Sequence, residues 1–234
     1  MSIQSDLATE NYLKAIVKAL ADPAKERIGT GELARLLEVT PGTATVMLKK
    51  LERLGFVEYA SHRGCALTNE GRAYGLRVLR RHRLLESFLV QVLGLDWSAG
   101  HAEAENLEHA ASERLIDEID RFLGQPERDP NGDPIPAKNQ SEYSVDDMSL
   151  ASCVPGQRVR IRRISGDEGQ WAYYRRQGLV PGALVRVVAR DAAAALMTLE
   201  LGSTQLSFAR KIVRNNCVGK GNNCFHKSHT IEFP

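Results

Sequence analysis

Apolar residues recur at helical spacing through the first half of the chain and at alternate positions in the last third. Leu13, Ile16, Val17 and Leu20 fall on one face of a helix expected over 7–20. A polar loop through Asp22, Pro23 and Lys25 follows. Thr30 reads as the N-cap of a short helix carrying Leu33, Leu36 and Leu37. Thr40-Pro41 opens a third helix, with Thr40 as cap and Pro41 at the first helical position, where its missing N–H is tolerated. That helix buries Ala44, Met47 or Leu48, Leu51 and Leu54, and Gly55 ends it. Phe56–Tyr59, the turn Ser61-His62-Arg63-Gly64 and Cys65–Thr68 predict strand, tight turn and strand. Two short helices followed at once by a hairpin make a winged helix-turn-helix.

Residues 69–95 predict a long helix with Leu76, Leu84, Leu85, Phe88, Leu89, Val92 and Leu93 on a broad apolar face. Asp96 to Gly100 breaks it, and 101–123 predicts another helix with Leu107, Leu115, Ile116, Ile119 and Phe122. This is more apolar face than one small winged helix requires, and a helical dimer interface accounts for it. Four of the nine prolines then fall in Pro126–Pro136, together with Asn131-Gly132, as expected of a linker. Beyond Pro155 the period becomes two: Val159, Ile161 and Ile164, then Leu184 to Val188, Leu196 to Leu201, and Leu206 with Phe208. With the Pro181-Gly182 turn, these short strands predict a small β-barrel.

The expected fold class is multidomain, mainly α and then β. A winged helix-turn-helix occupies 1–72 and a helical domain with the expected dimer face 73–123. A proline-containing linker spans 124–153, a small β-barrel 154–218 and a tail 219–234.

The chain has 234 residues, 43% of them hydrophobic, enough for two or three small cores. No stretch approaches the ~18–20 apolar residues of a membrane span, and the N-terminus lacks a basic-then-apolar signal pattern. A cytoplasmic protein without a membrane partner is expected. The net charge is only +2, so bulk electrostatics does not announce nucleic-acid binding. Local charge says more: Lys49, Lys50 and Arg53 cluster on one segment, and Arg72, Arg77, Arg80, Arg81 and Arg83 on the next. Cys65, Cys153, Cys217 and Cys224 are scattered and form no secreted disulfide framework.

The residues that change the picture most are His101, Glu105, Glu108 and His109. In a helix they form one stripe, because i, i+3 and i+4 are neighbours at 3.6 residues per turn. His82 and Glu86 repeat the i, i+4 pairing one helix earlier. Imidazole with carboxylate is the ligand set of a borderline or hard divalent metal. On a solvated helix face the same residues would be ordinary surface. Clustering across two helices favours the metal.

In a winged helix-turn-helix the second helix enters the major groove with its N-terminal residues against base edges. Thr40, Thr43, Thr45 and Val46 occupy that part of the helix, and a threonine offers a hydroxyl to a base edge and a methyl to thymine. Lys49 and Lys50, one turn on, suit phosphates, and Arg63 sits at the wing tip.

These pieces in this order resemble the DtxR/MntR family of metal-dependent transcriptional repressors over nearly the whole chain. Carrying the resemblance are Thr40-Pro41-Gly42-Thr43, Leu67-Thr68-Asn69-Glu70-Gly71 and Arg81-His82-Arg83-Leu84-Leu85-Glu86. Then come His101-x3-Glu105-x2-Glu108-His109, Asn131-Gly132-Asp133-Pro134-Ile135-Pro136 and Gly178-Leu179-Val180-Pro181-Gly182. The last looks like the SH3-like (FeoA-type) domain of the family's longer members. The resemblance implies a primary metal site of Asn11, Glu105, Glu108 and His109. It implies a secondary site of His82, Glu86 and His101, completed by Asp167 and Gln170 from the barrel.

Two positions depart from the pattern. Asn11 stands where the family usually has Asp or Met, and an amide oxygen coordinates weakly. Lys14 stands where manganese-type members often carry another Glu, and its charge opposes a second cation. Glu10, beside Asn11, is a further candidate. Glu105 makes the primary site oxygen-rich, which suits Mn(II), with Fe(II) as the alternative.

The resemblance therefore implies a repressor whose metal-bound homodimer binds a palindromic operator in double-stranded DNA, with no catalytic residues. The alternatives are a winged-helix regulator responding to another ligand and, further off, a helical metalloenzyme. Glu-x-x-Glu-His is not the Glu-x-x-His spacing of di-iron bundles, and no His-Glu-x-x-His is present. Cys217, Cys224, His226 and His229 in the tail fit no standard zinc spacing.

Overall fold

The computed structural model describes residues 7–22, 24–145, 147–164, 166, 168–209 and 217–220. The chain divides into two units, Met1–Asp146 and Asp147–Pro234.

The first unit opens with α1 (Leu7–Ala19), α2 (Thr30–Leu36) and α3 (Pro41–Arg53), followed by the hairpin β1 (Val57–Ala60) and β2 (Gly64–Leu67). Leu13, Ile16, Ile28, Leu33, Leu48 and Leu51 are fully buried together and form the core of this winged helix. Burying each such side chain contributes about 1.5–3 kcal/mol. Thr40 caps α3, its hydroxyl oxygen accepting from the Thr43 amide at 3.1 Å. The first residue of α2 differs from expectation: Gly29 is the N-cap, without a side-chain bond, and Thr30 is already helical. The hairpin pairs Val57 with Leu67 and Ala60 with Gly64. His62 at φ 67° and Gly64 at φ 76° make its turn.

Thr68 caps α4 (Asn69–Gln91), the central helix on which α1, α5 (Trp97–Leu107) and α6 (Glu113–Phe122) pack. Two glycines let α4 approach its neighbours. A Cβ at Gly71 would lie 1.9 Å from the Phe56 carbonyl oxygen, and one at Gly75 2.8 Å from the Leu13 carbonyl oxygen. The single helix expected over 101–123 is two. Ser112 accepts from the Leu115 amide and starts α6 afresh, because a serine oxygen competes well for a free helical N–H.

Residues 124–145, expected as a linker, are packed onto the helices. Asp129 accepts from the amides of Asn131 and Asp133, both at 2.9 Å, and closes a tight loop. Arg83, buried on α4, donates to the Pro134 carbonyl and to the Tyr143 hydroxyl and faces Asp129 at 3.4 Å. Tyr143 joins Val17, Ala21, Leu76 and Leu79 in an apolar cluster. Buried charge with many hydrogen bonds, together with the apolar contacts of Ile135 and Tyr143, holds this segment, so a proline-rich polar stretch disguised it.

The second unit is a six-stranded antiparallel sheet in the order β3-β8-β4-β5-β6-β7. Its strands are β3 (Met148–Ser149), β4 (Arg158–Arg163), β5 (Leu184–Asp191), β6 (Leu196–Leu201), β7 (Thr204–Ala209) and β8 (Cys217–Lys220). Val159, Ile161, Val185, Val187, Met197 and Leu199 alternate inward, as the period of two predicts. Among the described residues the sheet is open, with β3 and β7 at its edges, so the expected barrel is not closed by strand pairing. Three further findings depart from expectation. β3 lies within the stretch assigned to the linker, and β8 runs past residue 218 into the stretch assigned to the tail. A helix, α7 (Glu168–Arg176), also lies before β5, burying Trp171 and Tyr174 at i, i+3 spacing. Among the described residues, no helix is long and apolar enough to cross a membrane.

Candidate metal centre

The ligand candidates come together where α4 meets α5. His82 and Glu86 stand one turn apart on α4 and are almost wholly buried. His101 and Glu105 lie on α5, and Glu108 is its C-cap. His82 Nε2 is 3.5 Å from Glu86 Oε2, and His101 Nδ1 is 3.5 Å from Glu86 Oε1. One ligand atom from each of these three residues lies within 4.8 Å of the others. Ligands about 2.1 Å from a shared ion stand roughly 3–3.5 Å apart, so this spacing suits an ion better than direct hydrogen bonding.

A second grouping shares His82. Its Nδ1 is 2.8 Å from Glu108 Oε2 and 3.6 Å from Glu105 Oε1. The 2.8 Å contact is not aligned as a hydrogen bond. His82 Nδ1, Glu108 Oε2 and His101 Nδ1 are all buried without a hydrogen-bond partner. Orphaned buried acceptors cost free energy unless something satisfies them, and a cation would. The Glu105–Glu108 pair already has one. Lys14 on α1 places Nζ 2.8 Å from Glu105 Oε1 and 2.6 Å from Glu108 Oε1.

The electrostatics fit nitrogen–oxygen coordination. Burial, reinforced by the Lys14 charge, pushes the His82 imidazole down to about 3 against the pull of Glu86 and Glu105. The ring is therefore neutral at ordinary pH and keeps a lone pair for a metal. Burial opposes charge on Glu86, but contacts with His101, His82 and Asn131 outweigh it and hold the carboxyl below its usual value. Burial likewise opposes charge on Glu105, and Lys14 with His82 outweighs it. At Glu108 burial prevails over Lys14, and the carboxyl is raised.

The residues grouped by resemblance are distributed differently. His82, Glu86 and His101 are together. Glu105 and Glu108 meet Lys14 and His82, and His109 stands between Glu108 and α1, its Nε2 3.3 Å from Glu108 Oε1 and its Nδ1 2.5 Å from Glu10 Oε2. Glu10 also accepts from the Tyr74 hydroxyl at 2.9 Å and faces Arg81 at 3.5 Å. Burial opposes charge on Glu10, and His109, Arg81 and Tyr74 outweigh it, keeping the carboxyl low. Asn11 makes no such contact. It lines an open cavity of about 650 Å³ with Lys14, Lys18 and Glu105, and its Oδ1 is buried without a hydrogen bond. Glu10 and Lys14 are one turn apart and share the face toward α4 and α5, whereas Asn11 is rotated off it by about 100°. Gln170 lies on α7 in the second unit, and Asp167 lies outside the described residues, as do Cys224, His226 and His229. The grouping of Asp167 and Gln170 with this site rests on the sequence resemblance.

Asn131 is a member of the candidate centre that sequence reasoning passed over. Its Nδ2 donates to Glu86 Oε1 at 3.1 Å. The motif containing it was visible, but 45 residues separate it from Glu86, and nothing local announces the contact.

The DNA-facing candidates lie on α3 and the wing. Val46 is 70% exposed, unusual for valine and suited to a thymine methyl. The threonine hydroxyls are all engaged within the helix: Thr40 with Thr43 at 2.9 Å, and Thr45 donating to the Pro41 carbonyl at 2.8 Å. They retain acceptor capacity. Lys49 and Arg63 are exposed and Lys50 is half-buried. The second basic cluster is largely committed elsewhere. Arg80 pairs with Asp120 at 2.7 Å, Arg81 donates to the Glu108 carbonyl at 2.9 Å, Arg83 holds the 129–143 segment, and Arg77 stacks on Tyr74. Arg80, Arg81 and Arg83 thus serve the fold, not phosphates.

The chain is matched by three domain families. They are the iron dependent repressor N-terminal DNA binding domain over 7–65, the iron dependent repressor metal binding and dimerisation domain over 68–137, and the FeoA domain over 148–218. The iron-dependent repressor IdeR of Mycobacterium tuberculosis is 32% identical over 195 residues, spanning 76% of this chain and 83% of that protein. The transcriptional regulator MntR of Lysinibacillus sphaericus is 32% identical over 122 residues, 52% of this chain and 86% of that protein. A manganese-dependent transcriptional repressor solved in complex with manganese superposes with a TM-score of 0.83 at 34% identity, covering 91% of this chain and 99% of its own. With its winged helix, its α4–α5 ligand cluster and relatives aligned along most of their own length, the chain belongs to the DtxR/MntR family of metal-dependent transcriptional repressors.

Proposed function

We propose that a divalent ion, Mn(II) before Fe(II), held by His82, Glu86 and His101, drives this repressor as a homodimer onto palindromic operator DNA of metal-homeostasis genes in the cytoplasm. The observation that carries the reading is the convergence of these three buried or half-buried ligands from two helices, with a neutral imidazole and an orphaned His101 Nδ1. The resemblance adds Asn11, Glu105, Glu108 and His109 as a first site, whose carboxylates Lys14 now holds.

The mechanism is linkage. His82 and Glu86 from α4 and His101 from α5 would hold the ion, and α4, whose first residues follow directly from the wing, would thereby be fixed. DNA affinity then gains as much as the ion prefers the DNA-competent state. Thr40, Thr43, Thr45 and Val46 would read base edges, and Lys49, Lys50 and Arg63 would meet phosphates. Residues 1–72 supply the winged helix, 73–123 the dimer and metal helices, and 154–218 a small SH3-like barrel. The name of the manganese-dependent repressor that this chain superposes on supports Mn(II), and the two imidazoles beside Glu86 keep Fe(II) as the alternative.

The test is selection from sheared genomic DNA, under anaerobic conditions, in chelator, Mn(II), Fe(II) or Zn(II). A palindromic site enriched only with metal, and lost in both Glu86→Ala and His101→Ala, is the expected result. An undiminished metal response in those two variants would overturn the site.

A further inference from the structure

We propose that Lys14 takes the place of a metal ion between Glu105 and Glu108, so that each protomer binds one regulatory divalent ion, at His82, Glu86 and His101. The inference rests on the functional reading above and concerns how many ions serve it.

Lys14 is no solvated surface lysine. It is 5% exposed, and its Nζ lies 2.8 Å from Glu105 and 2.6 Å from Glu108, the distances of charge-assisted hydrogen bonds. Its helix is held close to α4 where a Cβ at Gly75 would clash with Leu13 and Val17, so α1 has little freedom to withdraw the side chain. A divalent ion bound to the same two carboxylates would have to displace the ammonium or sit beside it against one positive charge. The other grouping has no ammonium bonded to its ligands: His82, Glu86 and His101 bring imidazoles and a carboxylate, and the Lys14 charge reaches only His82 among them from a distance.

The lysine also performs the mechanical task of an ion at that place. It ties α1 to the C-terminal end of α5 by two strong contacts. In this chain the lysine itself supplies that tie. Metal responsiveness therefore falls to the junction of α4 with α5, where His82 and Glu86 face His101.

Anaerobic equilibrium dialysis of the full chain against Mn(II), with manganese counted per protomer, tests this. Wild type should hold one ion and Lys14→Met two, the second pair showing the broadened electron paramagnetic resonance lines of neighbouring Mn(II) ions. Glu108→Gln, made without touching Lys14, should still hold one, which keeps the test decisive even if Lys14→Met fails to fold. Two ions in wild type, one in a folded Lys14→Met, or loss of the ion in Glu108→Gln would each overturn the proposal. Manganese-dependent retention of DNA is read on the same samples. Two ions with that response intact defeat only the lysine substitution, whereas absence of any manganese-dependent retention defeats the functional reading itself.

Discussion

At the scale of single residues, the candidate centre is set by what stands behind its ligands. Asn131 fixes one oxygen of Glu86, leaving the other toward His82. Groups that orient ligands in this way typically govern metal affinity by 10- to 100-fold. Asn131→Ala should therefore weaken Mn(II) binding by about that factor with little change in the melting temperature of the metal-free protein, measured by indicator competition and thermal denaturation. His82 has a pH signature of its own. Its folded-state proton affinity lies near 3, below the ordinary value of 6.5, mainly because of burial. The unfolded chain thus binds the extra proton more readily between those values. Stability is then fully present above about pH 6.5 and falls progressively as the pH drops toward 3. Denaturation midpoints in chelator should show that decline, and His82→Gln should flatten it.

At the scale of elements, close approach decides what moves with what. Gly75→Ala would drive a methyl into the Leu13 carbonyl and Val17 and push α1 off α4. Overpacking of this kind costs about 1–3 kcal/mol, to be measured as a lowered denaturation midpoint. The same element shows where sequence is legible. The winged helix could be read because its signals are local: Thr40 before Pro41, Gly55 after the helix, Gly64 in the turn. The break between α5 and α6 was not, because Ala110 and Ala111 are good helix formers and only the Ser112 cap ends the pattern. α7 was hidden because its two buried aromatics stand among charged residues. The packing of 124–145 was invisible for a different reason: Arg83, Asp129 and Tyr143 pair across tens of residues. In the site itself, the i, i+4 stripe announced which residues gather. Which carboxylate Lys14 or Glu10 would meet depended on the crossing of α1 with α4 and α5.

At the scale of the whole molecule, this is a regulator of transcription and not an enzyme, and in the proposed dimer its output would be a spacing between two DNA-reading helices. Leu93, Leu107, Leu115 and Phe122 are between 41% and 57% exposed, an apolar surface on the helical half of the first unit. We expect a two-fold partner to cover it. Leu115→Glu should shift sedimentation from dimer to monomer and lower operator affinity at least tenfold, because a monomer engages one half-site only. An unchanged dimer with unchanged affinity would move the interface elsewhere.

The His82 ring has one more consequence. Its two nitrogens face opposite neighbours, Glu86 on one side and Glu108 on the other. A neutral imidazole owns a single hydrogen. An ion held at Nε2 would oblige that hydrogen to sit on Nδ1, the nitrogen 2.8 Å from Glu108 Oε2. Metal beside Glu86 would thereby be felt, as the position of one proton, next to the carboxylate that Lys14 holds from α1.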